Sequence, residues 1–379
     1  MEQRSRLKIT GVRLVRLRTI EEAGTLEPAW NPGGEMQFRV GGGAYVEVRT
    51  DEGLVGIGPA VDPGLLPAIE KVLVGEDPFD TERHAGALRY YAAGPAYRGA
   101  AGVDIALWDL IGKACGQPLY KLWGGAKEKV PAYASMVRLS TAEERAELAS
   151  RLVEEGWKAI KLRLHYETMA EDLEVVEKVR AAVGERMVIM VDGNQAQSAG
   201  DWQPGVRWDF QRAVETARQL QELGCYWLEE PLPRYAFDQL AELNARVEMP
   251  IAGGENNRGV HEFVQMLERG VYDVLQPESM VNEGVTALRK IGTLAEAFGK
   301  QVAPHHGGGN LGVIAHLHLV CSWSHAPYLE LLHDPPIGDY RNGFSIMENP
   351  PLVDAEGFVA PPQGPGLGVE IRQDLIVEE

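Results

Sequence analysis

Three acidic residues, Asp192, Glu229 and Glu255, each stand at the end of a short apolar run that reads as a β-strand, and the three runs follow one another along the chain. Carboxylates on adjacent strands about 4.8 Å apart are close enough for one oxygen of each to meet on a hard cation. Three such charges repel one another unless a divalent ion neutralises them. An octahedral Mg²⁺ held by three protein oxygens keeps positions for water and for a substrate carboxylate. Zinc is disfavoured, because the chain carries neither a CxxC pair nor an HExxH helix.

Other ionisable groups end neighbouring runs: Lys161-Leu162-Arg163, Glu278, His305-His306 and Glu330. A proton α to a carboxylate is very weakly acidic, and its removal adds a second negative charge to an anion. A cation together with Lys161 would supply the stabilising field. His305 is the candidate base, and Glu278 one strand away can accept its other ring N–H, fix the tautomer and stabilise the imidazolium. Glu330 can exchange a hydrogen bond with the developing enediolate. Arg163 stays protonated at any ordinary pH, so it is read as a clamp for a carboxylate or hydroxyl rather than as a base.

These groups need a scaffold that gathers strand ends. Apolar runs at 130–136, 159–164, 188–193, 226–230, 250–255, 273–277, 301–305 and 328–332 alternate with helical stretches such as 142–155 and 170–183. Eight strands at intervals of about 23 to 37 residues suit a closed parallel barrel, whose C-terminal mouth carries the catalytic groups. Before the barrel, Ile9 to Thr19 and a hairpin from Gly43 to Gly58 turning at Asp51-Glu52-Gly53 read as β, and residues 67–122 read as helical. Residues 20–42, rich in Gly, Pro and Glu without periodicity, are expected to form a long loop that acts as a lid. The barrel is expected to carry an insertion from Ser198 to Phe210. The Pro/Gly-rich chain beyond 345 lies outside the ring and is expected to rejoin the first domain.

A formal net charge of −18 and the lack of a basic run argue against nucleic acid as a partner. The same excess requires local positive charge wherever a small anion binds. Three widely spaced cysteines, Cys115, Cys225 and Cys321, suggest neither a disulfide framework nor a thiolate metal site. No signal-like or membrane-spanning apolar run is present, so a cytoplasmic location without membrane association is expected.

The helix Ala101-Gly102-Val103-Asp104-Ile105-Ala106-Leu107-Trp108-Asp109-Leu110-Ile111-Gly112-Lys113, the segment Pro118-Leu119-Tyr120-Lys121-Leu122-Trp123-Gly124-Gly125 and the ordered barrel motifs together resemble the mandelate racemase branch of the enolase superfamily over nearly the whole chain. The resemblance implies an α/β fold: an α+β N-terminal capping domain (1–125), a modified TIM barrel, (β/α)₇β (126–345), and a C-terminal segment (346–379) that completes the cap. It implies one Mg²⁺ on Asp192, Glu229 and Glu255, a Lys-x-Lys-like pair at Lys161 and Arg163, a His305–Glu278 dyad, and a homo-oligomer, commonly a dimer or octamer. Two positions depart from the family pattern. Glu278 stands where Asp is usual, and Arg163 stands where a second Lys often serves as base on the opposite face.

Racemisation needs groups on both faces of the substrate, whereas dehydration can proceed with one histidine. The expectation is therefore dehydration of an acid sugar to a 2-keto-3-deoxy acid. A racemase, epimerase or cycloisomerase of a carboxylate, or a barrel that binds without turnover, are the alternatives. Gly307-Gly308-Gly309-Asn310-Leu311-Gly312 satisfies GxGxxG, but it falls in the seventh βα unit, where no dinucleotide is needed to explain it. His306 competes with His305 as base, while His316, His318 and His325 read as structural. Glu230, Asn194 and Asn256 are expected to support the ligands, Glu230 from the opposite side of its strand. Trp30, Arg39, Trp202 and Trp208 are candidate walls of the substrate pocket.

Overall fold

The computed structural model describes residues 7–91, 99–198 and 202–377. The six N-terminal residues, part of the helical region at 92–98 and three positions of the expected insertion, 199–201, lie outside the described residues.

The first part of the chain builds two antiparallel sheets. Strands β1 (Ile9–Arg16), β4 (Ala44–Thr50) and β5 (Val55–Pro59) form one in the order β1-β4-β5; β2 (Thr19–Leu26) and β3 (Met36–Gly41) pair as a separate ribbon. The long loop expected over 20–42 is thus a hairpin. Its strands carry polar residues on an exposed face, where Gln37 and Arg39 both bond to Glu22, so no apolar alternation announces them. The helix Ala101–Cys115 packs on β4 and β5 and ends at Gly116 in the left-handed conformation. Gly56 and Gly58 permit that packing, since a Cβ on either would stand 2.1 Å from the carbonyl oxygen of Ala106 or Gly102. Buried Asp109 on this helix accepts from the N–H groups of Ile57 and Leu367, tying β5 to the C-terminal segment.

Eight parallel strands follow: β6 (Val130–Ser135), β7 (Ala159–Arg163), β8 (Val188–Asp192), β9 (Leu228–Glu229), β10 (Ile251–Gly253), β11 (Val274–Leu275), β12 (Gln301–Val302) and β13 (Leu329–Leu332). They pair in the order β12-β11-β10-β9-β8-β7-β6-β13, which is the expected barrel. Among the described residues no ladder joins β12 to β13; Val302 N–H of β12 donates instead to His325 O, ahead of β13, at 3.3 Å. Helices return the chain outside the strands, and those at Ala142–Glu154 and Met169–Val183 start in full capping boxes at Thr141/Glu144 and Thr168/Glu171.

Inward-facing side chains recur every second residue along a barrel strand. At the N-terminal end of the barrel this stripe is apolar: Tyr133, Ala159, Met190, Trp227, Ala252, Val274 and Ala303 form one buried cluster. Two residues further along the same strands stand Ser135, Lys161, Asp192, Glu229, Gln276 and His305, all buried. The interior therefore changes from core to ionic site within about 7 Å of chain.

Beyond the barrel, β14 (Phe358–Val359) adds antiparallel to the start of β6, and Gly366, Leu375 and Val377 bond to Leu119, Arg18 and Arg16 of the first part. No helix among the described residues is long and apolar enough to cross a membrane.

Candidate active site

Register brings the acidic groups together. Arg163 on β7 pairs with Asp192 on β8, and Asp192 pairs with Glu229 on β9, so the three form a row across the mouth; Glu255 joins two residues past β10. Oxygens of Asp192, Glu229 and Glu255 lie within 4.8 Å of one another, all buried. Burial and the neighbouring Asp192 and Glu330 lift the Glu229 carboxyl to about 7, against the opposing pull of Lys161. An all-oxygen cluster of three buried carboxylates fits a hard divalent cation.

Lys161 is fully buried beneath this cluster, 2.6 Å from Glu229 Oε1, 2.9 Å from Glu330 Oε1 and 3.7 Å from Asp192 Oδ2. A lone buried ammonium costs several kcal/mol, and here the carboxylates more than repay it, so the Lys161 pKa is raised despite burial. Glu330 is correspondingly held ionised, its pKa lowered by Lys161, His305 and His306 against the effect of burial. It therefore anchors the lysine and has no proton to donate.

Arg163 is engaged on every side. Its Nη1 pairs with Asp192, Nε donates to Met136 O at 2.8 Å, Nη2 donates to Ser135 Oγ at 3.2 Å, and Trp30 covers the guanidinium at 4.8 Å. Asn194 donates its backbone N–H and its amide to Asp192, at 2.7 and 3.1 Å, and Asn256 donates to Glu255 at 3.0 Å. Glu230 departs from strand alternation. Its φ of 44° turns it out of the strand path, and its buried carboxyl feels Glu255, Asp192 and Glu229. Burial, then those charges, push its pKa well up, and Gln197 Nε2 lies 3.4 Å from Oε2.

His305 Nδ1 lies 2.9 Å from Glu278 Oε2, and Nε2 lies 3.3 Å from Glu255 Oε2. Glu278 is fixed in turn by the N–H groups of Gly307 and Met280, at 2.8 and 2.9 Å. Burial opposes a charge on His305, but Glu255, Glu330 and Glu278 outweigh it and lift the ring to about 10; Glu278 falls to about 2. A cation on Glu255 would draw on the same negative charge and bring the imidazole down towards the range of a base. The His306 ring lies 4.1 Å from that of His305, tilted by 51°, and burial with that neighbour lowers it to about 3. Glu278, His305 and His306 also gather within 4.8 Å, but the Glu278 oxygens already serve His305 and two backbone N–H groups. The glycine-rich run has a packing role, since Gly307 closes against the backbone of Gly312 and delivers its N–H to Glu278.

A cavity of about 390 Å³ opens over these groups, reached by Arg163, Asn194, Glu255, His305 and His306 on one side and roofed by Trp30 of the β2–β3 turn. Three of the four proposed wall residues lie elsewhere. Arg39 is on the exposed face of the hairpin, bonded to Glu22; Trp202 is 73% exposed; Trp208 is buried against Gly193, behind the barrel wall, under Arg212. Four contributors were not singled out from sequence: Asn31, Glu35 and Gln197 at the cavity, and Gln276, which donates to Glu229 Oε2 at 2.7 Å. Gln276 was accessible by alternation from Glu278, whereas the loop residues carry no signal of their own.

Comparison with known proteins places this geometry. Residues 40–124 match the model for the mandelate racemase / muconate lactonizing enzyme N-terminal domain, and residues 144–375 match that for the enolase C-terminal domain-like family. The chain is 32% identical to the arabinonate dehydratase of Saccharolobus solfataricus, over 88% of this chain and 89% of that protein. It is 30% identical to the D-galactarolactone cycloisomerase of Agrobacterium fabrum, over 90% and 92%. The crystal structure of D-glucarate dehydratase from Agrobacterium tumefaciens complexed with magnesium superposes with a TM-score of 0.83 at 30% identity, covering 99% of this chain and 100% of that one.

Proposed function

Since the chain belongs to the mandelate racemase / muconate lactonizing enzyme family of the enolase superfamily, whose matched members are lyases and isomerases, we propose that it is a Mg²⁺-dependent dehydratase of acid sugars. One observation carries this reading: His305 is oriented through Nδ1 by Glu278 while Nε2 points to Glu255 at the cavity, and the opposite cationic group, Arg163, is locked onto Asp192.

Asp192, Glu229 and Glu255 would hold the cation, which supplies charge to stabilise the carboxylate as it becomes an enediolate. His305 Nε2 takes the α-proton, and the electron pair of the C–H bond moves towards the carboxylate. Lys161, pinned by Glu229 and Glu330, adds positive potential beneath it. The imidazolium, stabilised by Glu278, then returns the proton to the β-hydroxyl, which leaves as water. The resulting enol tautomerises to a 2-keto-3-deoxy acid, one water lighter than the substrate. Arg163 holds Asp192 and, being always protonated, does not act as a second base. That absence favours dehydration over racemisation.

The test is exchange and product formation in ²H₂O with Mg²⁺ present, over a set of sugar acids. Wild-type protein is expected to form keto acid, and His305→Asn to lose both keto acid and α-deuterium exchange. Exchange persisting in His305→Asn would refute His305 as the base.

A further inference from the structure

His305 lies past the end of β12, and no ladder among the described residues holds that segment from the β13 side. Its carbonyl oxygen accepts from a side chain instead. His316, on the second turn of the helix Asn310–Ser322, brings Nδ1 to 2.5 Å from His305 O and Nε2 to 2.8 Å from Ser279 Oγ. The helix can come this close because Gly312 has no Cβ, which would stand 1.7 Å from Gly307 O. His316, Ser279 and Glu278 are all fully buried.

A carbonyl oxygen only accepts, so His316 Nδ1 carries a proton. Burial lowers the His316 pKa and keeps the ring neutral near pH 7, so Nε2 accepts from the hydroxyl of Ser279. That hydroxyl oxygen also stands 3.3 Å from Glu278 Oε1. One ring is therefore bonded on one side to the backbone of the base and on the other to the residue next to the base's carboxylate. Between them lies the bond from His305 Nδ1 to Glu278 Oε2 at 2.9 Å, which joins loops from two different strands and weakens steeply with misalignment. We infer that His316 is a positioning residue: it fixes the spacing between the loops after β11 and β12, and so sets where His305 presents Nε2 to the substrate. This rests on the proposed role of His305 and deepens it. His316 does not line the cavity and is not among the three clustered carboxylates, so its loss should leave substrate affinity and cation binding in place.

The experiment follows keto-acid formation and α-deuterium exchange with Mg²⁺ for wild type, His316→Leu, His316→Asn and Ser279→Ala, with thermal unfolding alongside. A base displaced by about 1 Å can lose about 10²-fold, so His316→Leu is expected to lower kcat and the exchange rate by about that factor. KM should stay within about threefold, the pattern of an interaction felt in the transition state alone, and the rise in Tm with Mg²⁺ should be retained. His316→Asn can place its amide N–H where Nδ1 stood and should regain about tenfold over His316→Leu, the scale of one hydrogen bond. Ser279→Ala removes only the Nε2 bond and should lose about tenfold in kcat. Should His316→Leu fail to fold, Ser279→Ala decides alone. A kcat within about threefold of wild type in Ser279→Ala, or in His316→Leu where it folds, overturns the inference and leaves His305 standing as the base. An Asn variant no faster than the Leu variant reduces the ring to packing and overturns it too. Wild-type protein that exchanges no sugar acid, or exchange that survives in His305→Asn, overturns the proposed reaction along with it.

Discussion

Trp30 lies over the guanidinium of Arg163 at 4.8 Å, so a residue of the cap turn touches a side chain that holds Asp192. The roof of the cavity is thereby linked to the carboxylate cluster through one side chain, Arg163. Trp30→Ala removes a cation–π contact of about 1 kcal/mol and opens the cavity. Steady-state kinetics should show KM raised about tenfold with a smaller fall in kcat, and thermal unfolding should change little.

Glu278→Gln keeps the shape of the dyad and removes its charge. By analogy with other histidine–carboxylate pairs, kcat is expected to fall by about 10² to 10⁴. Glu278 is one of the groups that raise the His305 pKa, so its neutralisation lowers that pKa. The ascending limb of kcat/KM, which reports deprotonation of the base, should move to lower pH. A limb that stays in place would separate Glu278 from His305.

Magnesium should stabilise the fold through the carboxylate cluster, by about 2.7 kcal/mol at a concentration 100 times its Kd. A rise in Tm with added Mg²⁺, reversed by chelator, is the readout. Glu255→Gln should lose most of that rise, and Asn256→Ala, which removes only the bond to Glu255, should keep part of it.

Acid stability should depend on Asp334. Its buried carboxylate meets Arg145 at 3.0 Å and accepts from the N–H groups of Val137 and Arg138, tying the chain after β13 to that after β6. Burial raises its pKa, but Arg145 and those N–H groups outweigh burial and hold it below the usual aspartate value. Its contribution is therefore complete above about pH 4 and is lost as pH falls through the depressed folded value. Asp334→Asn leaves Arg145 buried without a counter-charge and should cost about 3 to 5 kcal/mol near neutrality, with a flatter acid limb in denaturant titrations.

The barrel and its ionic mouth were legible because two independent signals coincide there. Each strand is a short apolar run between helical repeats, and seven of the eight runs carry, within or next to them, a side chain that an ordinary core would not take, as at Asp192, Glu229 and Glu330. The β2–β3 hairpin was not legible, since its outer face is held by pairs such as Glu22 with Arg39 and carries no apolar stripe. At Glu230 a φ of 44° interrupts the two-residue period, a local turn of the backbone that the sequence does not announce. Trp202 and Trp208 share one short stretch but lie, respectively, in solvent and behind the barrel wall. Residue type alone does not separate two such environments.

His165 has a ring nitrogen at each of two carbonyl oxygens, Ala29 O at 2.6 Å in the cap turn and Val206 O at 2.9 Å in the barrel insertion. Gly205 fits against the same ring, where a Cβ would stand 2.8 Å away. One imidazole thus sets the spacing between two segments that are far apart in sequence. Descendants of this chain that lengthen either segment must adjust the other as well, so the hairpin tip and the insertion are expected to diversify as a correlated pair, and grafting one without its counterpart should leave Trp30 out of place.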